Sequence, residues 1–147
     1  MNPTGISRRK EQTVTKVKRF PTTDVFRITG VEPSPICPRF YGLSADKLKE
    51  LVSIGVVGLA DHFNASPTVG EMLERTQHSV VTFEGYIVGP PRHDCRVTVD
   101  GFSVTTAHRT EADIAYAWWQ GSKHEPDETT LIEAQSHNRF SVRLWWD

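Results

Sequence analysis

The run Val80–Val88 restricts the fold of this chain more than any other stretch. Its nine residues, VVTFEGYIV, carry apolar side chains at both odd and even positions and stop at Gly89-Pro90-Pro91. Alternate side chains of a strand point to opposite faces, so this pattern predicts a central strand covered on both sides. In residues 92–99, Cys95, Val97 and Val99 fall on one side and Arg96 and Thr98 on the other. Asp100-Gly101 is a two-residue hairpin signal, because a type I′ turn needs positive φ at both central residues. Phe102, Val104 and Thr106 then return on the buried side, and Phe140, Val142 and Leu144 repeat the alternation as a last strand.

Helical spacing surrounds these strands. Ser44 can cap a helix with Leu48, Leu51 and Val52 on one face and Gly55 as its stop. A second helix opens at Ser66-Pro67 or, through a capping box of Thr68 and Glu71, one turn later. A third opens with Thr110 and Asp113 and runs to Gly121, its face formed by Ala112, Ala115, Tyr116 and Trp119. Residues 25–29 have strand composition, and Pro33, Pro35 and Pro38 impose a loop. Residues 122–138 are polar, with a short helical turn at 130–133. The expected class is α+β: an antiparallel sheet of four to five strands covered by two to three helices.

Charge divides the chain unevenly. Its net charge is −1, yet residues 1–20 hold six basic side chains against Glu11, a local balance of +5 that leaves −6 for the remainder. Residues 1–23 read as a basic, disordered arm and 24–147 as a single domain. Arg8, Arg9, Lys10, Lys16, Lys18 and Arg19, with Phe20, could neutralise phosphates and stack one base, which makes nucleic acid a candidate partner. A solvated tail accounts for the same residues without a partner.

The 147 residues suffice to bury a core without disulfides or metal. The two cysteines, Cys37 and Cys95, form no framework and fit a reducing compartment. The most apolar stretch, residues 51–60, is far short of the roughly 20 residues that cross a bilayer, and no secretory signal opens the chain. The reading is cytoplasmic, with no membrane contact.

Catalytic signatures are missing. There is no phosphate loop, nucleophile elbow, paired-histidine zinc helix or EF-hand, and Pro35-Ile36-Cys37-Pro38 lacks the other ligands of a deaminase site. One cluster follows from the expected hairpin: with Asp100-Gly101 as its turn, His93 faces His108 and Cys95 lies beside them. Two imidazoles and a thiol could hold zinc, or form a Cys–His nucleophile pair. A small buried cysteine and rim histidines explain the trio more simply, and that reading is the stronger.

The tryptophans point elsewhere. Trp118-Trp119 and Trp145-Trp146 are adjacent pairs, and neighbours on a strand or helix diverge in direction. Trp146 continues the row of Phe140, Val142 and Leu144, which leaves Trp145 beside Arg143; Trp119 continues its helix face, which leaves Trp118 at the margin. Exposed Trp beside Arg is the composition of a protein-binding hot spot. The preferred expectation is therefore a non-catalytic protein-binding or adaptor domain, with no required cofactor.

Overall fold

The computed structural model describes residues 19–75, 80–134 and 138–147. The elements run α1 (Thr22–Thr29), β1 (Arg39–Ser44), α2 (Ala45–Ser53), α3 (Val69–Glu74), β2 (Val80–Val88), β3 (Arg96–Val97), β4 (Gly101–Thr106), α4 (Arg109–Tyr116), β5 (Glu128–Ala134) and β6 (Arg139–Trp145). The class is α+β, with an antiparallel sheet of six strands and four helices among the described residues. The sheet order is β1-β2-β4-β6-β5, and β3 pairs with β2. Since β3 and β4 follow one another along β2, the sheet is five positions wide, and β2 is an interior strand beside the β1 edge.

Several helix signals act as read. The Ser44 side chain accepts from the Lys47 N–H at the start of α2. At α3 the choice falls on the capping box: Thr68 Oγ1 accepts from Glu71 N at 3.1 Å, and Glu71 Oε1 accepts from Thr68 N at 3.0 Å. Ser66 is instead fully buried, accepting from Phe63 N and donating to the Pro67 carbonyl.

Several expectations fail. Residues 25–29 lie in α1 rather than a strand. Val25 and Ile28, three apart, are its two buried residues, Gly30 closes it at φ +74°, and packing on α2 overrides β-rich composition. Because α1 begins at Thr22, the end of the presumed arm belongs to the folded body; residues 1–18 lie outside the described residues. Residues 130–133 form part of β5, where half-burial alternates along a polar edge strand. Finally, α4 ends at Tyr116, and Trp119 has φ +62°, so no helical face continues to it.

A further failure moves the hairpin. Val97 pairs with Ile87, and Gly101 pairs with Glu84, so three residues of one strand oppose two of the other. This is a β-bulge, and chain 96–106 runs straight through Asp100-Gly101. The Asp100 N–H donates to the Glu84 carbonyl, and the Asp100 carbonyl accepts from Trp146 N. Both backbone groups are thus held in the ladder, which a turn residue could not manage. At the bulge, Thr98 Oγ1 accepts from Tyr86 N at 2.8 Å. Gly85 is required there, since a Cβ would overlap the Thr98 carbonyl oxygen.

One face of the sheet carries the core. Phe40, Leu43, Val81, Phe83, Phe102, Val104, Val142 and Leu144 are buried there with Leu48, Leu51, Met72, Ala112 and Ala115 from the helices. Trp146 is fully buried, stacks with Phe102 at 6.2 Å, and donates from Nε1 to the His124 carbonyl.

Candidate functional site

Among the described residues no helix covers the other face of the sheet, its open face. Cross-strand pairing arranges it in rows: Glu84–Gly101–Trp145–Glu128, then Ser44–Thr82–Ser103–Arg143–Thr130, then Val80–Thr105–Ser141–Ile132. Arg39 and Tyr86 form a further pair at the β1 side. Val80 and Tyr86 are exposed while Glu84 and Val88 are buried, so this face of β2 is only partly covered, short of what its sequence pattern predicts. Half-buried positions alternate with buried ones along β4 and β6, as expected for sheet positions without a covering helix.

The centre of this face is ionic. Glu84 is 4% exposed and Asp100 5%. Arg143 grips Glu84 by a two-point fork, Nη2 to Oε1 at 2.7 Å and Nε to Oε2 at 2.8 Å. Arg39 donates to Glu84 Oε1 at 2.6 Å and to both Asp100 oxygens, at 3.1 and 3.3 Å. Burial alone would push the Glu84 carboxyl up, but hydrogen bonds from Arg143 and Arg39 outweigh it and hold the group below its ordinary value. Burial pushes Asp100 the other way, upward, with Arg39 only partly offsetting it.

Aromatic rings frame the guanidinium groups. Arg39 lies 4.6 Å from the Tyr86 ring centre, 5.4 Å from Tyr41 and 5.9 Å from Trp145; Arg143 lies 5.4 Å from Trp145. Tyr41 owes its position to a second bulge, where Tyr41 and Gly42 oppose Glu84 and Gly42 takes φ +64°. It is 66% exposed. Trp145 Nε1 is shielded from solvent and finds no acceptor among the described residues.

Arg143 and Trp145 therefore sit together where the alternation places them. Trp118 does not join them. It stacks on Phe102 at 6.0 Å with the Arg75 guanidinium 5.3 Å from its ring, committed to the core side. Sequence reading missed Arg39, Tyr41, Glu84, Tyr86 and Asp100. The available signal was Glu84 itself, a charge inside an apolar run, which burial obliges to find a cation.

The histidine–cysteine trio depended on the hairpin and separates with it. His93 and Cys95 lie in the loop joining β2 to β3, whereas His108 precedes α4 at the opposite end of β4. About ten residues of extended chain, each rising about 3.3 Å, lie between them. Among the described residues no group of three His, Cys, Asp or Glu side chains is arranged to hold a metal. Burial pushes the Cys95 thiol up, and its Sγ donates to the Arg92 carbonyl at 3.0 Å, which favours the neutral thiol over a nucleophilic thiolate.

Of the basic residues, Arg8, Arg9, Lys10, Lys16 and Lys18 lie outside the described residues. Arg19, exposed, lines a hollow with Phe20, Arg92 and His93. No described helix is long and apolar enough to cross a membrane. Compared with protein-family models, curated proteins and solved structures, the chain matches none.

Proposed function

We propose that this chain is a non-catalytic binding module that docks another protein on its open sheet face. The observation that carries the reading is the arrangement of Arg39, Arg143, Tyr41, Tyr86 and Trp145 around two buried carboxylates. Tyr, Trp and Arg are the residue types that dominate binding hot spots. Here the guanidiniums are fixed in advance by Glu84 and Asp100, which lowers the ordering cost of association. Two cations against two anions leave the patch near neutral, so it offers planar, amphipathic area rather than net charge. That suits a protein surface better than a phosphate backbone. The two free cysteines fit a module of a reducing, cytoplasmic compartment.

The test is affinity capture from source-cell lysate with nuclease, comparing the wild-type chain with Tyr41→Ala/Trp145→Ala. A stoichiometric protein held by wild type at high salt and lost by the folded variant is expected. An identical set on both baits, or no retained protein, overturns the reading.

A second reading rests on Arg19 and Phe20 beside Arg92 and His93. There the basic arm engages nucleic acid, with affinity falling steeply in salt and disappearing when residues 1–20 are removed. Binding indifferent to either change excludes it.

A further inference from the structure

The two edges of the sheet are built differently. β1 follows Pro38 and is broken by the bulge at Tyr41-Gly42, both devices that discourage strand addition. β5 carries neither. It pairs with β6 in an unbroken seven-residue register, contains no Pro, Lys or Arg, and leaves five of its seven residues exposed. Its outward N–H and C=O groups make a template for another strand.

Apolar groups flank this edge on both faces. On the open side Ile132 is 58% exposed. On the helix side, α4 runs along β5: Arg109 lies 3.9 Å from Glu133 at one end, and Gln120 donates to Thr129 Oγ1 at 3.2 Å beyond the other. Tyr116, seven residues after Arg109 and therefore on the same helical stripe, stands between these anchors and is 42% exposed.

We propose that β5 pairs antiparallel with β5 of a second copy of this chain, about a twofold axis at Leu131. Such an axis, perpendicular to the sheet, keeps like faces together and allows all seven residues to pair. Glu128 then faces Ala134, Thr129 faces Glu133, Thr130 faces Ile132, and Leu131 meets its own copy. No glutamate faces a glutamate. The register thus keeps like charges from facing one another directly, the backbone hydrogen bonding is self-complementary, and Tyr116 and Ile132 close over the junction on its two sides. This interface uses the sheet edge and adjoins the docking face, since Thr130 pairs with Arg143 across β5 and β6.

Sedimentation velocity of the full chain across a concentration series tests it. Wild type is expected to form a dimer that dissociates on dilution. Thr130→Glu/Ile132→Glu places like charges opposite one another twice and should weaken the dimer about ten-fold or more. Thr130→Glu/Ile132→Lys places opposite charges across the same register and should restore it. Circular dichroism checks that both variants fold, and amide exchange in residues 128–134 should slow as wild-type concentration rises. A wild-type monomer at every concentration, an undiminished Glu/Glu dimer, or a Glu/Lys variant that stays monomeric overturns the proposal.

Discussion

Glu84 and Arg143 meet across an intervening strand, from β2 to β6, through the gap left by Gly101 on β4. A Cβ at position 101 would stand 2.9 Å from the Leu144 carbonyl oxygen and 3.1 Å from Glu84 Cγ. The absent side chain leaves the Glu84 carboxylate room to reach the guanidinium. Gly101→Ala should therefore cost about 1–3 kcal/mol, the usual penalty for overpacking. Urea denaturation checks this, and an unchanged midpoint would show that Glu84 can move aside freely.

The same network sets the acid response. The guanidiniums hold Glu84 below its ordinary value, so its stabilisation is present above that value and is lost as pH falls through the folded one. Asp100 is raised by burial, so its contribution is present below its ordinary value and is lost as pH rises through the folded one. On acidification the two oppose each other. Glu84→Gln should flatten the loss of stability below the ordinary carboxylate range, and Asp100→Asn should remove the gain that acidification brings just above it. Urea midpoints measured across that range check both signs; identical pH profiles would contradict the assignment.

The two C-terminal tryptophans should respond differently to one substitution. Trp146 is fully enclosed and its indole N–H is bonded to the His124 carbonyl, so Trp146→Phe should cost roughly 2–3 kcal/mol. Trp145 shields an N–H that has no acceptor among the described residues, so removing that N–H relieves a penalty. Trp145→Phe should stay within about 1 kcal/mol of wild type. Thermal unfolding of the pair decides; equal losses would mean the indole environments are not distinct.

Cys95 should be the slower thiol. Burial raises it, and its proton is engaged by the Arg92 carbonyl, whereas Cys37 is half-exposed. Modification with a thiol reagent at neutral pH should label Cys37 first, with Cys95 reacting only as the protein unfolds. Rapid labelling of Cys95 in the native state would contradict its placement.

The sequence disclosed strands where the pattern is strong and local, as in the apolar run Val80–Val88 and the alternation of Phe140, Val142 and Leu144. It disclosed caps where one side chain decides, as at Ser44 and Thr68. It misled where tertiary pairing overrides local chemistry. Asp100-Gly101 has turn composition, yet Glu84 and Trp146 claim both backbone groups of Asp100. That single substitution of ladder for turn dissolved the His93, Cys95 and His108 cluster. Arg143 and Trp145 were legible because they share a strand, two residues apart. Arg39 and Tyr86 were not, because only the β1–β2 register brings them together.

The central claim is that a partner covers the open face, and oxidative footprinting of the captured complex reads this most directly. Tyr41 on that face and Phe26 on α1 are both exposed in the free protein. Partner binding should protect Tyr41 and Tyr86 while leaving Phe26 unchanged. Equal labelling of Tyr41 and Tyr86 in free and bound protein would place the partner elsewhere and contradict the account.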